Sequence, residues 1–149
     1  MLTSFNAVLP DSPFPIQNLP FGIFKPKDGA ARVGIAIGDQ VLDLSLLEAR
    51  GHFAPAGFGK DPIFAHDSLN AFLKLGRPAW KKTREIVQRL LAADNAELRD
   101  DPPLRAAVFH AQKHVIMQFP ARIGEYTDFY SSYHHPPTSV NMLSWRAHA

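Results

Sequence analysis

The chain has 149 residues, 46% of them hydrophobic and 20% charged, which is typical of one globular domain or of a small domain plus the start of another. A formal net charge of +2 gives no reason to expect a nucleic-acid partner, and the absence of cysteine excludes disulfides and thiolate metal sites. No apolar run approaches the ~20 residues that span a bilayer. The N-terminus also lacks a secretory signal, so we expect a cytoplasmic protein with no membrane partner.

The N-terminal part of the chain is predicted to form an extended arm followed by a β-hairpin. Four prolines punctuate the first twenty residues, and proline is disfavoured in helix interiors and central strands alike. The run "FGIFK" then alternates weakly, and "RVGIAIGDQVLDL" places Val33, Ile35 and Ile37 at the period of two that strands show. Because Gly38 and Asp39 separate this run from the next, we predict a tight two-residue turn between two strands.

Three helices are predicted after the hairpin. The first begins at Asp67 or Ser68 and stops at Gly76, and the second runs over about 78–93. A third, shorter helix follows Asp101, which is a suitable N-cap. The apolar stripe of the second helix, which we expect to face the core, consists of Trp80, Val87, Leu90 and Leu91.

A short strand over 115–119, stopped by Pro120, completes the predicted elements. Strands come first and helices later, which is typical of the α+β class. We therefore expect a small SH3-like antiparallel β-barrel with packed helices, followed by an irregular C-terminal segment.

Two short motifs fail the tests for known sites. The run Gly57–Lys60 approaches a phosphate-binding loop, but Ala54 and Asp61 stand where that motif needs glycine and a hydroxyl residue. His110 and His114 have the spacing that places two metal-binding imidazoles on one helix face. No glutamate follows His110, so we expect only a solvated helix end there.

The stretch 123–137, "IGEYTDFYSSYHHPP", concentrates ionisable and aromatic side chains. Asp128 offers the hard carboxylate that Mg²⁺ or Ca²⁺ prefers, and Tyr130 is a nearby phenol. His134 and His135 offer the side chain whose pKa suits a general base near neutral pH. Chemistry alone leaves two interpretations open, an active-site segment or a loop with tyrosine anchors and a capping aspartate.

Five blocks in order resemble the N-terminal part of the fumarylacetoacetase family: "FPIQNLPFGIF", "RVGIAIGDQVLDLS", "LNAFLKLGRPAWK", "ELRDD" and "IGEYTDFYSS". The resemblance runs from about Phe14 to Ser132. It implies an N-terminal SH3-like domain over 1–120 and the start of a larger catalytic domain over 121–149. It also implies metal-dependent hydrolysis of a carbon–carbon bond in the small molecule 4-fumarylacetoacetate, with Ca²⁺ or Mg²⁺ as cofactor and, typically, a homodimer. The products are fumarate and acetoacetate, in the last step of tyrosine breakdown.

The resemblance also implies roles for individual residues. Asp128 matches the family's first metal-ligating aspartate, Tyr130 a substrate-contacting tyrosine, and His135 the general base. After His135 the pattern is lost, and no role carries over to Arg146. The other metal ligands and the groups that assist the base would lie in a catalytic domain beyond this chain.

We therefore expect an inactive N-terminal fragment, truncated or frame-shifted, that needs a catalytic domain or a second subunit. The alternative is a non-catalytic SH3-like interaction or folding module. A free-standing metal-dependent hydrolase is disfavoured, because one carboxylate cannot supply the ~6–8 oxygens that Ca²⁺ requires.

Overall fold

A computed structural model describes residues 2–127. Five strands lie in this part of the chain, β1 Phe21–Pro26, β2 Arg32–Ile37, β3 Gln40–Asp43, β4 Phe109–Ala111 and β5 Val115–Gln118. The α-helices are α1 Leu44–Ala49, α2 Asn70–Lys74, α3 Gly76–Leu91, α4 Ala96–Arg99 and α5 Pro102–Val108. Two short 3-10 helices span Ala54–Ala56 and Gln112–His114.

The strands form one curled antiparallel sheet in the order β4-β3-β2-β1-β5. This confirms the predicted α+β class. The hairpin between β2 and β3 is also confirmed, because Ile37 pairs with Gln40 across a turn at Gly38 and Asp39. Gly38 has a φ of 57°, a value that glycine adopts without steric cost. The strand predicted over 115–119 is β5, which pairs with β1.

One face of the sheet packs against the helices. Ile23, Val33 and Ile35 are fully buried on this face, in one hydrophobic cluster with the apolar stripe of α3. The predicted second helix is confirmed as α3, although it begins at Gly76 and ends at Leu91. Trp80 is half-buried, and its indole Nε1 donates a hydrogen bond to the carbonyl oxygen of Phe72 at 3.0 Å.

The opposite face of the sheet also buries apolar side chains, which explains why "FGIFK" alternates only weakly. Phe24 is fully buried on this side. Gly34, which pairs with Gly22 across β1 and β2, leaves room for it. A Cβ at Gly34 would lie 2.6 Å from Cγ1 of Val41 and 2.7 Å from Cδ1 of Phe24. Only glycine fits there without displacing a neighbour.

Gly34→Ala should therefore destabilise the chain by about 1–3 kcal/mol, the usual cost of overpacking a core. Urea unfolding followed by circular dichroism measures the change in the midpoint. The matched control is Gly124→Ala, because a Cβ at Gly124 meets nothing within 4 Å. Equal midpoints for the two variants would show that the sheet is not tightly packed around Phe24.

The first predicted helix is observed as α2, with a later start. Helix α2 begins at Asn70 rather than at Asp67 or Ser68, and it buries Phe72 while Leu73 is 45% exposed. Helix α2 ends at Lys74, two residues before the predicted stop at Gly76, and Gly76, with a φ of 76°, is the first residue of α3. The third helix is confirmed as α5. The carboxylate of its N-cap, Asp101, accepts a hydrogen bond from the backbone N–H of Leu104.

The prediction for His110 and His114 was wrong. His110 lies in β4, opposite Val41 of β3, and His114 lies in a 3-10 helix. The two imidazoles therefore do not share a helix face. Strand pairing with β3 determines the backbone here, and the i, i+4 spacing carries no information about it.

Candidate functional site

The three site residues predicted from the sequence, Asp128, Tyr130 and His135, lie outside the described residues, so their roles stay predictions. The structure does describe the segment that leads to them, 119–127. It also describes a buried polar cluster on the Phe24 face of the sheet that the sequence did not reveal.

The lead-in segment is fastened to the start of α2 by backbone and side-chain hydrogen bonds. The backbone N–H of Leu69 donates to the carbonyl oxygen of Pro120 at 2.8 Å. Asn70 and Arg122 exchange two hydrogen bonds, each 2.9 Å long, between the Asn70 amide and the Arg122 backbone. The Arg122 guanidinium also contacts both carboxylate oxygens of Asp67, at 3.0 and 2.7 Å.

These contacts fix the direction in which the chain leaves the sheet. The ion pair with Asp67 is exposed and contributes little by itself, roughly 0.2–1 kcal/mol. The hydrogen bonds made by the Leu69 backbone N–H and by the Asn70 side-chain amide constrain the path more strongly, because each satisfies a peptide group at a defined position. The backbone position at Arg122, six residues before Asp128, is therefore fixed by the domain.

The buried polar cluster is centred on Asp43, which is completely buried at the end of β3. Its Oδ1 accepts hydrogen bonds from the backbone N–H groups of Ser45 and Leu46, at 2.9 and 3.2 Å, and so caps α1. The Ser45 hydroxyl donates to the same oxygen at 2.7 Å. Oδ2 accepts a hydrogen bond of 2.5 Å from Nε of Arg32. The buried charge is thus paired and its lone pairs are occupied.

His110 completes this cluster from β4. Its Nε2 lies 3.8 Å from Oδ2 of Asp43, and this buried nitrogen has no hydrogen-bond partner among the described residues. The imidazole packs against the ring of Phe24, with centroids 5.2 Å apart. Burial lowers the pKa of His110 below its usual value, and this outweighs the opposing influence of the Asp43 carboxylate.

The cluster combines serine, histidine and aspartate but is not arranged as a nucleophilic triad. A triad needs the serine hydroxyl to donate to the histidine. Here the Ser45 hydroxyl donates to the carboxylate, and the remaining carboxylate oxygen is occupied by Arg32. We interpret the cluster as a structural device that joins β2, β3, β4 and α1.

His110 should make stability depend on pH. Because its folded pKa lies below 6.5, the folded state binds fewer protons than the unfolded state as pH falls through that value. The stabilisation is complete above about pH 6.5 and declines as pH falls toward the folded pKa. Urea unfolding of His110→Phe between pH 8 and 5.5 should show a flatter profile than the unsubstituted chain. Exposed His66→Ala is the control and should keep the original slope. Parallel profiles for all three proteins would contradict this account.

The glycine-rich loop at Gly57–Lys60 borders a cavity of about 450 Å³. Glu48 lines the same cavity, and its carboxylate accepts hydrogen bonds of 2.9 Å from the backbone N–H groups of Ile63 and Phe64. A carboxylate in that position would repel a phosphate, which agrees with the rejection of a phosphate-binding loop.

Within residues 2–127, no group of three or more His, Cys, Asp or Glu side chains is placed to hold a metal ion. In the same part of the chain, no helix is both long and apolar enough to cross a membrane.

The fold and the lead-in define a small α+β domain that fixes the start of a chemically rich segment. The family model described as "Fumarylacetoacetase N-terminal" matches residues 17–120, and the chain belongs to this family. The resemblance stated from the sequence blocks is thereby confirmed.

Curated relatives extend the match over nearly the whole chain. The chain is 47% identical to the fumarylacetoacetase of Bos taurus over 143 residues, which are 94% of this chain and 33% of the relative. It is 46% identical to that of Dictyostelium discoideum over 145 residues, 96% of this chain and 33% of the relative. The human fumarylacetoacetase is 46% identical over 143 residues, with shares of 94% and 33%. The chain therefore spans about one third of the length of the curated relatives that it matches.

Proposed function

We propose that this chain supplies the N-terminal third of a fumarylacetoacetase, a hydrolase that cleaves a carbon–carbon bond of 4-fumarylacetoacetate to give fumarate and acetoacetate. The observation that carries the proposal is the identity of 46–47% over 94–96% of the chain. In this proposal, residues 1–120 form the family's SH3-like domain, and 121–149 begin the catalytic part. The curled antiparallel sheet supports this assignment.

Asp128 would contribute one carboxylate to a Ca²⁺ or Mg²⁺ site. The residues before it hold no such site of their own among those the structure describes. A single carboxylate gives one or two oxygens of the roughly six to eight that Ca²⁺ needs, so the other ligands must come from elsewhere. When bound, the cation supplies electrophilic assistance to the β-diketone and its departing enolate.

Tyr130 and His135 would act on the substrate and on water. The phenol of Tyr130 can hydrogen-bond the substrate and orient it. His135 would accept the proton of the attacking water, a task that suits an imidazole near neutral pH. An unsupported imidazole has no fixed tautomer or direction, so this role also requires groups from the remaining two thirds of the family's chain.

The described domain would contribute by positioning this segment. Its contacts at Pro120 and Arg122 fix where the segment starts, a few residues before Asp128. Small errors in the position of catalytic groups are costly, which gives a physical reason for the docking of the lead-in on α2. A non-catalytic interaction or folding module is not favoured, because the match to the relatives continues well beyond the β5 strand.

A chimera tests the proposal. Residues 1–135 of this chain, which end at the predicted general base, would replace the matching N-terminal part of the Bos taurus relative. We expect the chimera to hydrolyse 4-fumarylacetoacetate in the presence of Ca²⁺ or Mg²⁺. The loss of substrate absorbance measures the reaction. A folded chimera without turnover would refute the proposal.

A further inference from the structure

Exposed apolar side chains are concentrated where the described chain leaves the sheet. Nine large apolar side chains are exposed within residues 2–127, and five of them lie between positions 116 and 126. Their exposed fractions range from 60% to 80%. We call these five residues the exit strip: Ile116, Met117, Phe119, Ile123 and Tyr126.

Backbone hydrogen bonds keep the residues of the exit strip at the surface. Strand β5 pairs with β1 along its length, with Met117 opposite Phe24. The residues after β5 are fastened to α2 through Pro120 and Arg122. Because the backbone is fixed on both sides, Phe119 cannot reach the core without breaking these bonds.

Met117 connects the strip to the face of the sheet that carries Phe24. It borders a groove of about 400 Å³ that is also lined by Phe21, Phe24 and Val41. The Met117 methyl group lies 3.1 Å from the position that a Cβ on Gly22 would take. Ile116 pairs with Lys25 and so lies on the other side of β5. Exposed apolar side chains therefore lie on both sides of this edge strand and along the residues that follow it, a concentration of the kind that marks an interface.

The edge strand β5 carries no charge. Charged residues, especially lysine, are one means by which natural edge strands discourage further association. The sequence over 115–121, "VIMQFPA", contains no charged residue. Such a strand is suited to contact with an uncharged, apolar surface.

We propose that the exit strip and its groove are the docking surface for the polypeptide that forms the remaining two thirds of the family's full-length chains. The inference rests on the proposed function. Two observations select this occupant. The family's N-terminal model ends at residue 120, within the strip, so the polypeptide that follows in the family's chains begins there, and the matched part is only 33% of the Bos taurus relative. A second copy of this chain is the competing occupant.

Charge substitutions at the strip test the proposal in two contexts, the 149-residue chain alone and the chimera. The variants are Phe119→Glu and Ile123→Glu, and the control is Leu9→Glu, a residue 73% exposed and far along the chain from the strip. In the chain alone all three should leave Tm nearly unchanged, since exposed positions tolerate substitution. In the chimera the two strip variants should lower Tm by at least about 3 °C, and the control should not. Equal shifts in both contexts, or none in either, would overturn the proposal.

Peroxide oxidation of Met117 provides a second measurement that needs no substitution. Mass spectrometry should show oxidation at least tenfold slower in the chimera than in the chain alone, because docking would cover a side chain that is 60% exposed. Equal rates would count against docking even if the charged variants failed to fold.

The outcomes separate this inference from the proposed function. Selective Tm loss and Met117 protection in an inactive chimera would support docking and refute the activity. Turnover by a chimera that shows neither the selective Tm loss nor the Met117 protection would support the activity and refute docking. If sedimentation of the chain alone shows a dimer that Phe119→Glu abolishes, the second copy is the occupant and the proposal is wrong.

Discussion

Asp43→Ala is expected to lower the free energy of unfolding by about 3–5 kcal/mol, the usual cost of removing one partner from a buried ion pair. The substitution leaves the Arg32 guanidinium without its 2.5 Å partner and removes the cap of α1. Domains of this size have only about 5–15 kcal/mol of stability, so the variant should be close to unfolding at 37 °C. Urea unfolding at pH 7.5 measures the loss.

Two further variants identify the cause. Asp43→Asn keeps an oxygen that can cap α1 but removes the charge, so it should lose less than Asp43→Ala. Glu85→Ala removes a carboxylate that is half exposed and 3.9 Å from Lys82, and it should change stability by less than about 1 kcal/mol. If Asp43→Ala behaved like Glu85→Ala, the cluster would not hold the sheet together.

The second large effect is expected in the chimera, where Asp128→Ala and His135→Ala should fail in different ways. Asp128→Ala should weaken Ca²⁺ or Mg²⁺ binding by more than the ~10–100-fold typical of losing an outer-shell partner. His135→Ala should lower kcat by ~10²–10⁴-fold with metal binding retained, because a general base contributes to the chemical step. Calorimetric titration and steady-state kinetics measure the two quantities separately.

His134→Ala is the matched control for this experiment, because it removes the neighbouring imidazole of the same segment. It should retain most of the turnover. A larger loss of kcat in His134→Ala than in His135→Ala would show that the base had been assigned to the wrong histidine.

The parts of the fold that could be predicted from the sequence have a local cause. The turn at Gly38 and Asp39 forms because glycine takes a positive φ there at no cost. Helix α3 was predictable because its apolar stripe repeats at helical spacing, and Val87 and Leu90 are fully buried as expected. The Asp101 cap marked the start of α5 in the same way.

The missed parts depend on contacts between distant residues. Strand β4 forms because its backbone pairs with β3, about 70 residues earlier in the chain, and three residues carry too little pattern to predict a strand. Helix α1 is only six residues long and stands directly after a strand, so its apolar residues carry too little periodicity to predict a helix. The signal that could have indicated it is Asp43, a residue type favoured at the N-cap.

The buried cluster could have been found in part. The hairpin register pairs Gly34 with Asp43, which places Arg32 of the same strand near the carboxylate. Nothing local indicates that His110 joins them, because its position depends on β4. The segment predicted to be catalytic is the reverse case, since residue types and family resemblance predicted Asp128, Tyr130 and His135, which lie beyond the described part of the chain.

The central claim is that this chain holds only one part of an active site whose other groups belong to the remaining two thirds of the family's chain. The most direct test is turnover of 4-fumarylacetoacetate by the purified 149-residue chain alone, with millimolar Ca²⁺ or Mg²⁺. We predict a rate equal to the uncatalysed background, because Asp128 lacks companion ligands and the base and oxyanion contributions, each worth ~10²-fold or more, are lost together. Metal-dependent turnover that EDTA abolishes and His135→Ala removes would contradict the account.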